Sequence, residues 1–291
     1  MNLRKIARLF RETFKEWQED NASRIAAALA YYAVFSISPL LVIAIAIAGT
    51  FFGQQTAQTQ ITQQLTDLVG KDGVQPVLMA LNNINQPEIK GVASLISIGV
   101  LLLGASGFFA QLQDALNTVW KVKPQPGQGM KIFVRKRISS FLMVLAIGFL
   151  LILSLILSAV VSTLSKYQVD YLPGSTILWE NLDLIVSLGL MTFIFGLMFK
   201  YVPDAKIVWK DVFVGSVMTA ILFLFGKFLL GVYLSKGSLG SAYGAAGSLI
   251  VLLAWIYYSA QIILFGAEFT QVYSRIYGSK IRPSKHSQVN E

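Results

Sequence analysis

Arg24, Tyr31 and Ser38 recur at heptad spacing in one long apolar stretch, while Tyr257, Gln261 and Glu268 recur on one face of another. The second trio falls within about 40° on a helical wheel. Between them, Ser97, Gly104, Gln111 and Thr118 share a face at heptad intervals, with Gly107 and Asp114 alongside and Asn117 near the same end. Polar groups on one face of an apolar helix have two uses. They bond across helices as packing glue, or they line a hydrated cavity where carboxylates and an arginine bind an ion, a proton or a polar headgroup. Either use predicts that Arg24, Gln111, Asp114, Asn117, Gln261 and Glu268 satisfy one another.

Lys227 stands apart from this seam. It lies about seven residues inside its apolar stretch, roughly 10 Å deep at the rise of a helix. Its stem recovers only part of that depth by snorkelling. A partner is expected: Asp183 or Glu180 as a structural pair, or an anionic ligand such as a lipid phosphate. Pro39, in Ser36-Ile37-Ser38-Pro39, removes a backbone donor in mid-stretch and predicts a helix bend.

The same inventory argues against catalysis. The chain has no cysteine and one histidine, so thiol chemistry and thiolate metal sites are excluded. Asp204 and Asp211 are scattered, His286 sits alone in a polar tail, and no Gly-rich phosphate loop or metal-spaced cluster appears. No enzyme activity, cofactor or metal is expected, and hydrolysis of RNA least of all, since it needs paired carboxylates holding metal or histidines for acid–base work.

The elements that must position these residues are apolar. With 55% hydrophobic residues in 291 and a mean hydropathy of +0.61, too little polar sequence remains to cover a soluble core. Spans of about 20 residues are expected near 25–52, 91–120, 138–164, 182–202, 212–234 and 245–268. The expected class is all-α: a polytopic integral membrane protein with six transmembrane helices in a single membrane domain. Residues 3–20 read as an interfacial amphipathic helix, with Leu3, Ile6, Phe10, Phe14 and Trp17 at helical spacing. Residues 54–90 read as a helical hairpin capping the outer face, its second limb opening near Pro76; residues 269–291 read as a tail. The first apolar run is too long for a signal peptide.

Charge orients the spans. Of the 24 lysines and arginines, only Lys71, Lys90, Lys166, Lys236 and Lys227 lie away from one set of connections. That set comprises the N-terminal stretch, the second-to-third and fourth-to-fifth connections, and the tail. The positive-inside rule makes it, and both termini, cytoplasmic. The net charge of +9, placed beside span ends, suits anionic lipid headgroups rather than nucleic acid.

One further reading comes from a combination of motifs. Ala30-Tyr31-Tyr32-Ala33 with Ser36 and Pro39-Leu40-Leu41 is followed by Leu116-Asn117 with Trp120. Later come Tyr201-Val202-Pro203 with Trp209 and Gly215, then Tyr243-Gly244, Leu253 with Trp255 and Tyr257, and Gly266-Ala267-Glu268. In this order they resemble the YihY/BrkB-like family of bacterial inner-membrane proteins, some once labelled ribonuclease BN. The resemblance implies six spans, a bacterial plasma-membrane location and a role in envelope integrity and serum resistance, with movement of lipids or other envelope components suggested. Together these readings favour a transporter or flippase-like protein for an amphipathic envelope substrate. The alternatives are a scaffold for envelope assembly and, less so, a cation/proton antiporter, which would need an acidic residue near mid-membrane.

Overall fold

A bilayer offers backbone amides no water, so apolar spans fold as helices that satisfy their own amides. The computed structural model describes residues 3–84, 107–124, 176–236, 246–279, 281–284 and 287–289. Its helices are α1 (Leu3–Glu19), α2 (Ala22–Phe52), α3 (Gln54–Ile84), α4 (107–119), α5 (Thr176–Tyr201), α6 (Trp209–Lys236) and α7 (Gly247–Ile276). The architecture is mostly helical. Two short antiparallel pairs join it: β1 (Val122–Pro124) with β4 (Ser287–Val289), and β2 (Ala205–Lys206) with β3 (Arg282–Pro283).

Among the described residues, Trp209–Val232 and Gly247–Ile276 are long and apolar enough to cross a membrane, and α2 adds a third if its two limbs count as one span. The expected span at 138–164, the stretch 91–106 with Ser97 and Gly104, and the side chains of Glu180 and Asp183 lie outside the described residues.

Small residues decide how closely the helices approach. A Cβ on Gly215 of α6 would meet Thr270 Oγ1 at 1.7 Å, and one on Gly266 of α7 would meet Thr219 Oγ1 at 1.9 Å. Each threonine of one helix therefore sits on the glycine of the other. Its hydroxyl donates to a carbonyl of its own helix, Thr219 to Gly215 and Thr270 to Gly266, both at 2.7 Å. Close backbone approach through small residues is how helices pack tightly where no hydrophobic drive separates them from lipid.

α2 bends by 48° between Ile37 and Pro39, where proline supplies no amide proton. Beyond the bend, Leu41, Ala44, Ile45 and Ala48 pack on Ala57, Ile61, Val69, Val74 and Val77 of α3 and on Leu252 of α7. α3 is two limbs broken at Gly70, whose φ of 79° and ψ of 169° suit glycine. Pro76 lies inside the second limb rather than in its first turn, because Gly70 has already broken the helix.

The opposite end of the bundle collects the chain's connections. Asn21, at φ 53°, turns α1 into α2, and Lys121, at φ 52°, turns α4 into β1. The tail strands cover the end of α4 and the α5–α6 turn, pairing Val122 with Val289 and Lys206 with Arg282. α7 runs about two turns beyond its expected end at Glu268. Protein covers that extension: Leu9 of α1 packs on Phe269 and Val272.

α1 also differs from the sequence reading. The face it turns to the bundle carries Leu9 and Thr13, both buried, and continues through Glu16 and Asp20. That face lies about a quarter turn round the helix from the apolar stripe. Phe10 bridges the two, stacking on Phe265 and meeting Phe269 at a tilt, while Phe14 is exposed. The polar face is buried because cations from other elements meet it there.

Candidate functional site

Three segments bring charge together at this end. Arg275 Nη1 donates to Glu16 Oε1 at 2.6 Å, and Lys121 Nζ lies 3.5 Å from Glu16 Oε2. Lys121 also donates to Asp20 Oδ1. The Glu16 and Asp20 side chains are only 13% and 12% exposed, whereas Lys121 and Arg275 keep 33% and 45%, so solvent screens these pairs from the side of the cations. The left-handed backbone of Lys121, uncommon for a residue with a Cβ, is held by its amide bond to the Thr118 carbonyl at 3.0 Å and aims the ammonium at α1.

The electrostatics follow. Burial of the Lys121 ammonium works against its charge, but the Asp20 hydrogen bond and the charges of Asp20, Glu268 and Glu16 outweigh it and hold Lys121 above the usual lysine range. Burial likewise opposes ionisation of Glu16, yet Arg275 and Lys121 hold it below the usual carboxylate range.

Glu268 completes the cluster. It is fully buried, and neither of its oxygens has a hydrogen-bond donor; Asp20 Oδ2 is in the same position. The two carboxyls lie within hydrogen-bonding reach of each other.

Beside the cluster, Trp120, Lys121, Gln271 and Arg275 line a recess of about 280 Å³. Deeper in the bundle lies an apolar cavity of about 330 Å³, lined by residues including Phe108, Leu112, Met191, Phe195, Trp255 and Ile263. Ile263 and Gln271 place the two spaces about 12 Å apart along α7 at the rise of a helix. Leu116, Leu264 and Ala267 are buried in the layer between.

Two further clasps fix this end. Asn117 Oδ1 accepts from the Asp204 amide at 2.7 Å, while its Nδ2 and Gln113 Nε2 donate to Asp204 Oδ2 at 3.1 and 3.2 Å. Asp211, 2% exposed, accepts from Ser274 Oγ at 2.8 Å and the Ser279 amide at 2.9 Å.

The seam residues are thus dispersed. Arg24 and Asp114 are exposed, as are Tyr31, its ring tilted against Phe35, and Tyr257. Asn117 serves Asp204 instead of the seam. Gln111 is half-buried, and Gln261 is half-buried with Oε1 enclosed and unpartnered. Lys227 is half-buried and makes no ion pair among the described residues, and the side chain of Ser38 lies outside them. Only Glu268 sits in the charged cluster. Its neighbours Glu16, Asp20, Lys121 and Arg275 were assigned to an interfacial helix and to connections. The available signal was the Leu9, Thr13, Glu16, Asp20 spacing, one helical face that carries two acids and no basic residue.

Comparison with known proteins decides the family. The family model described as "Virulence factor BrkB" matches residues 13–291. The chain belongs to the BrkB family. A relative named UPF0761 membrane protein from Ralstonia nicotianae is 27% identical, covering 91% of this chain and 58% of its own length. One from Alteromonas mediterranea is 25% identical over 90% of this chain and 86% of its own. One from Pseudomonas aeruginosa is 28% identical over 85% and 58%. This BrkB chain therefore spans little more than half of the Ralstonia and Pseudomonas relatives. No solved structure matches it. Apolar helices and relatives named as membrane proteins agree on a membrane location.

Proposed function

We propose that this BrkB-family membrane protein is a non-enzymatic carrier of an amphipathic envelope lipid. The observation that carries the reading is the apolar cavity of about 330 Å³, which is in the size range of ligand sites and about 12 Å from a cluster of cations and carboxylates. An acyl chain suits the first, and a polar headgroup suits the recess beside the second, whose lining includes Lys121, Gln271 and Arg275 and no carboxylate.

Orientation follows from charge. Lys121, Lys206, Arg275, Arg282 and the basic residues of α1 gather at one end, which the positive-inside rule makes cytoplasmic. Six spans, with both termini cytoplasmic in a bacterial plasma membrane, complete the proposal. Anionic headgroups of the inner leaflet then lie against the basic end.

Full-length protein reconstituted in liposomes with headgroup-labelled lipids tests the reading, by the rate at which label becomes accessible across the bilayer. The expected result is a protein-dependent rate that Ala260→Phe, which fills the apolar cavity, lowers at least tenfold. No protein-dependent movement, or an unchanged rate in Ala260→Phe, overturns the carrier reading; the former leaves the scaffold.

A further inference from the structure

Charge does not balance within the cluster. Among the described residues, the carboxylates of Glu16, Asp20 and Glu268 face two cations, Lys121 and Arg275. Arg275 is engaged by Glu16, and Lys121 by Glu16 and by Oδ1 of Asp20. Neither Glu268 oxygen nor Asp20 Oδ2 receives a hydrogen bond, and the buried indole N–H groups of Trp17 and Trp120 are also without a partner, so neither donates to them.

The charged and amide groups of the other elements packed here are exposed or engaged elsewhere among the described residues. Arg24 of α2 is exposed. Lys200 of α5 donates to the Ile207 carbonyl. Gln113 and Asn117 of α4 serve Asp204, and Asp211 of α6 is taken by Ser274 and Ser279. Asp114 and Lys123 are exposed. No group of three or more His, Cys, Asp or Glu side chains able to hold a metal occurs among the described residues.

An ionised carboxylate is acceptor-only, so two of them in contact repel unless a hydrogen lies between. A buried carboxylate without a donor is costly as well. One added proton removes both penalties and neutralises the cluster.

We propose that Asp20 and Glu268 form a proton-binding site: Glu268 carries the proton as a carboxylic acid, its O–H donates to Asp20 Oδ2, and the shared proton keeps α1 seated on α7. Asp20 then uses both oxygens, one towards Lys121 and one towards Glu268. Loss of the proton returns two facing carboxylates, one on α1 and one on α7, and drives the helices apart. The site does not depend on what the protein carries, so its test is separate from the liposome assay.

Infrared spectroscopy of the full-length protein in nanodiscs reads the proton directly. A carboxylic-acid carbonyl band is expected at neutral pH and is expected to disappear in Glu268→Gln. It is also expected to disappear in Asp20→Asn, where the amide donates to Glu268 and makes the proton unnecessary. Absence of the band from the wild type, or its full retention in either variant, overturns the site.

The chain has no cysteine, so spin labels introduced through Arg11→Cys and Lys206→Cys report the position of α1. The label separation is expected to lengthen as the infrared band titrates away at high pH, and to stay constant in the same pair carrying Glu268→Gln. A constant wild-type separation through that titration overturns the role in seating α1.

Discussion

Asp211 and Glu268 are both buried carboxylates at the same end of the bundle, at 2% and 0% exposure, yet their surroundings are opposite. Asp211 receives the Ser274 hydroxyl and the Ser279 amide, and it stops the chain where α7 ends. A Cβ on Gly278 would lie 2.4 Å from its Oδ2, so the backbone is wrapped against the acid. Glu268 receives no donor at all and faces another carboxyl. Donors surround a carboxylate whose task is to hold structure. One left without them, between helices that must stay together, is a place to bind something small and positive.

That contrast is breakable. Asp211→Ala is expected to have the largest effect on stability, about 3 kcal/mol from two lost charge-assisted hydrogen bonds, read as a lowered denaturation midpoint in detergent. Glu268→Gln is expected to cost under about 1 kcal/mol, because the amide gives Asp20 a donor, while abolishing the infrared carboxyl band. Equal losses of stability in the two variants would erase the distinction.

Acid sharpens it from another side. Glu16 has a folded pKa below its ordinary value, so its contribution to seating α1 is present above that ordinary value and is lost as pH falls through the lower folded one. On the acid side of neutrality, limited proteolysis of α1 is expected to accelerate only at that limit. Acceleration already near neutral pH would show that the Arg275 and Lys121 pairs do not hold the helix. The smallest effect is expected from Arg24→Ala: within about 0.5 kcal/mol by the same denaturation assay, since Arg24 is exposed.

The apolar helices were legible because hydropathy and the length of a span are properties of consecutive residues. The sequence reading places spans at 212–234 and 245–268, and α6 and α7 occupy those stretches. Gly215 and Gly266 were visible as motif residues, but their exchange of Thr270 and Thr219 was not. A close approach depends on which faces meet. The site was the least legible part. Heptad spacing put Arg24, and position at the same end put Asn117, on a shared seam, whereas Asp204 captured Asn117 and Arg24 turned outward.

Composition and periodicity settled by themselves that this chain is helical and belongs in a membrane, because transfer of each segment from water depends mainly on its own side chains. Which carboxylate would be surrounded by donors and which left bare was decided only in three dimensions. Glu16, Asp20, Lys121, Glu268 and Arg275 come from three distant segments, and burial and charge balance exist only once α1 is packed across the ends of α4 and α7.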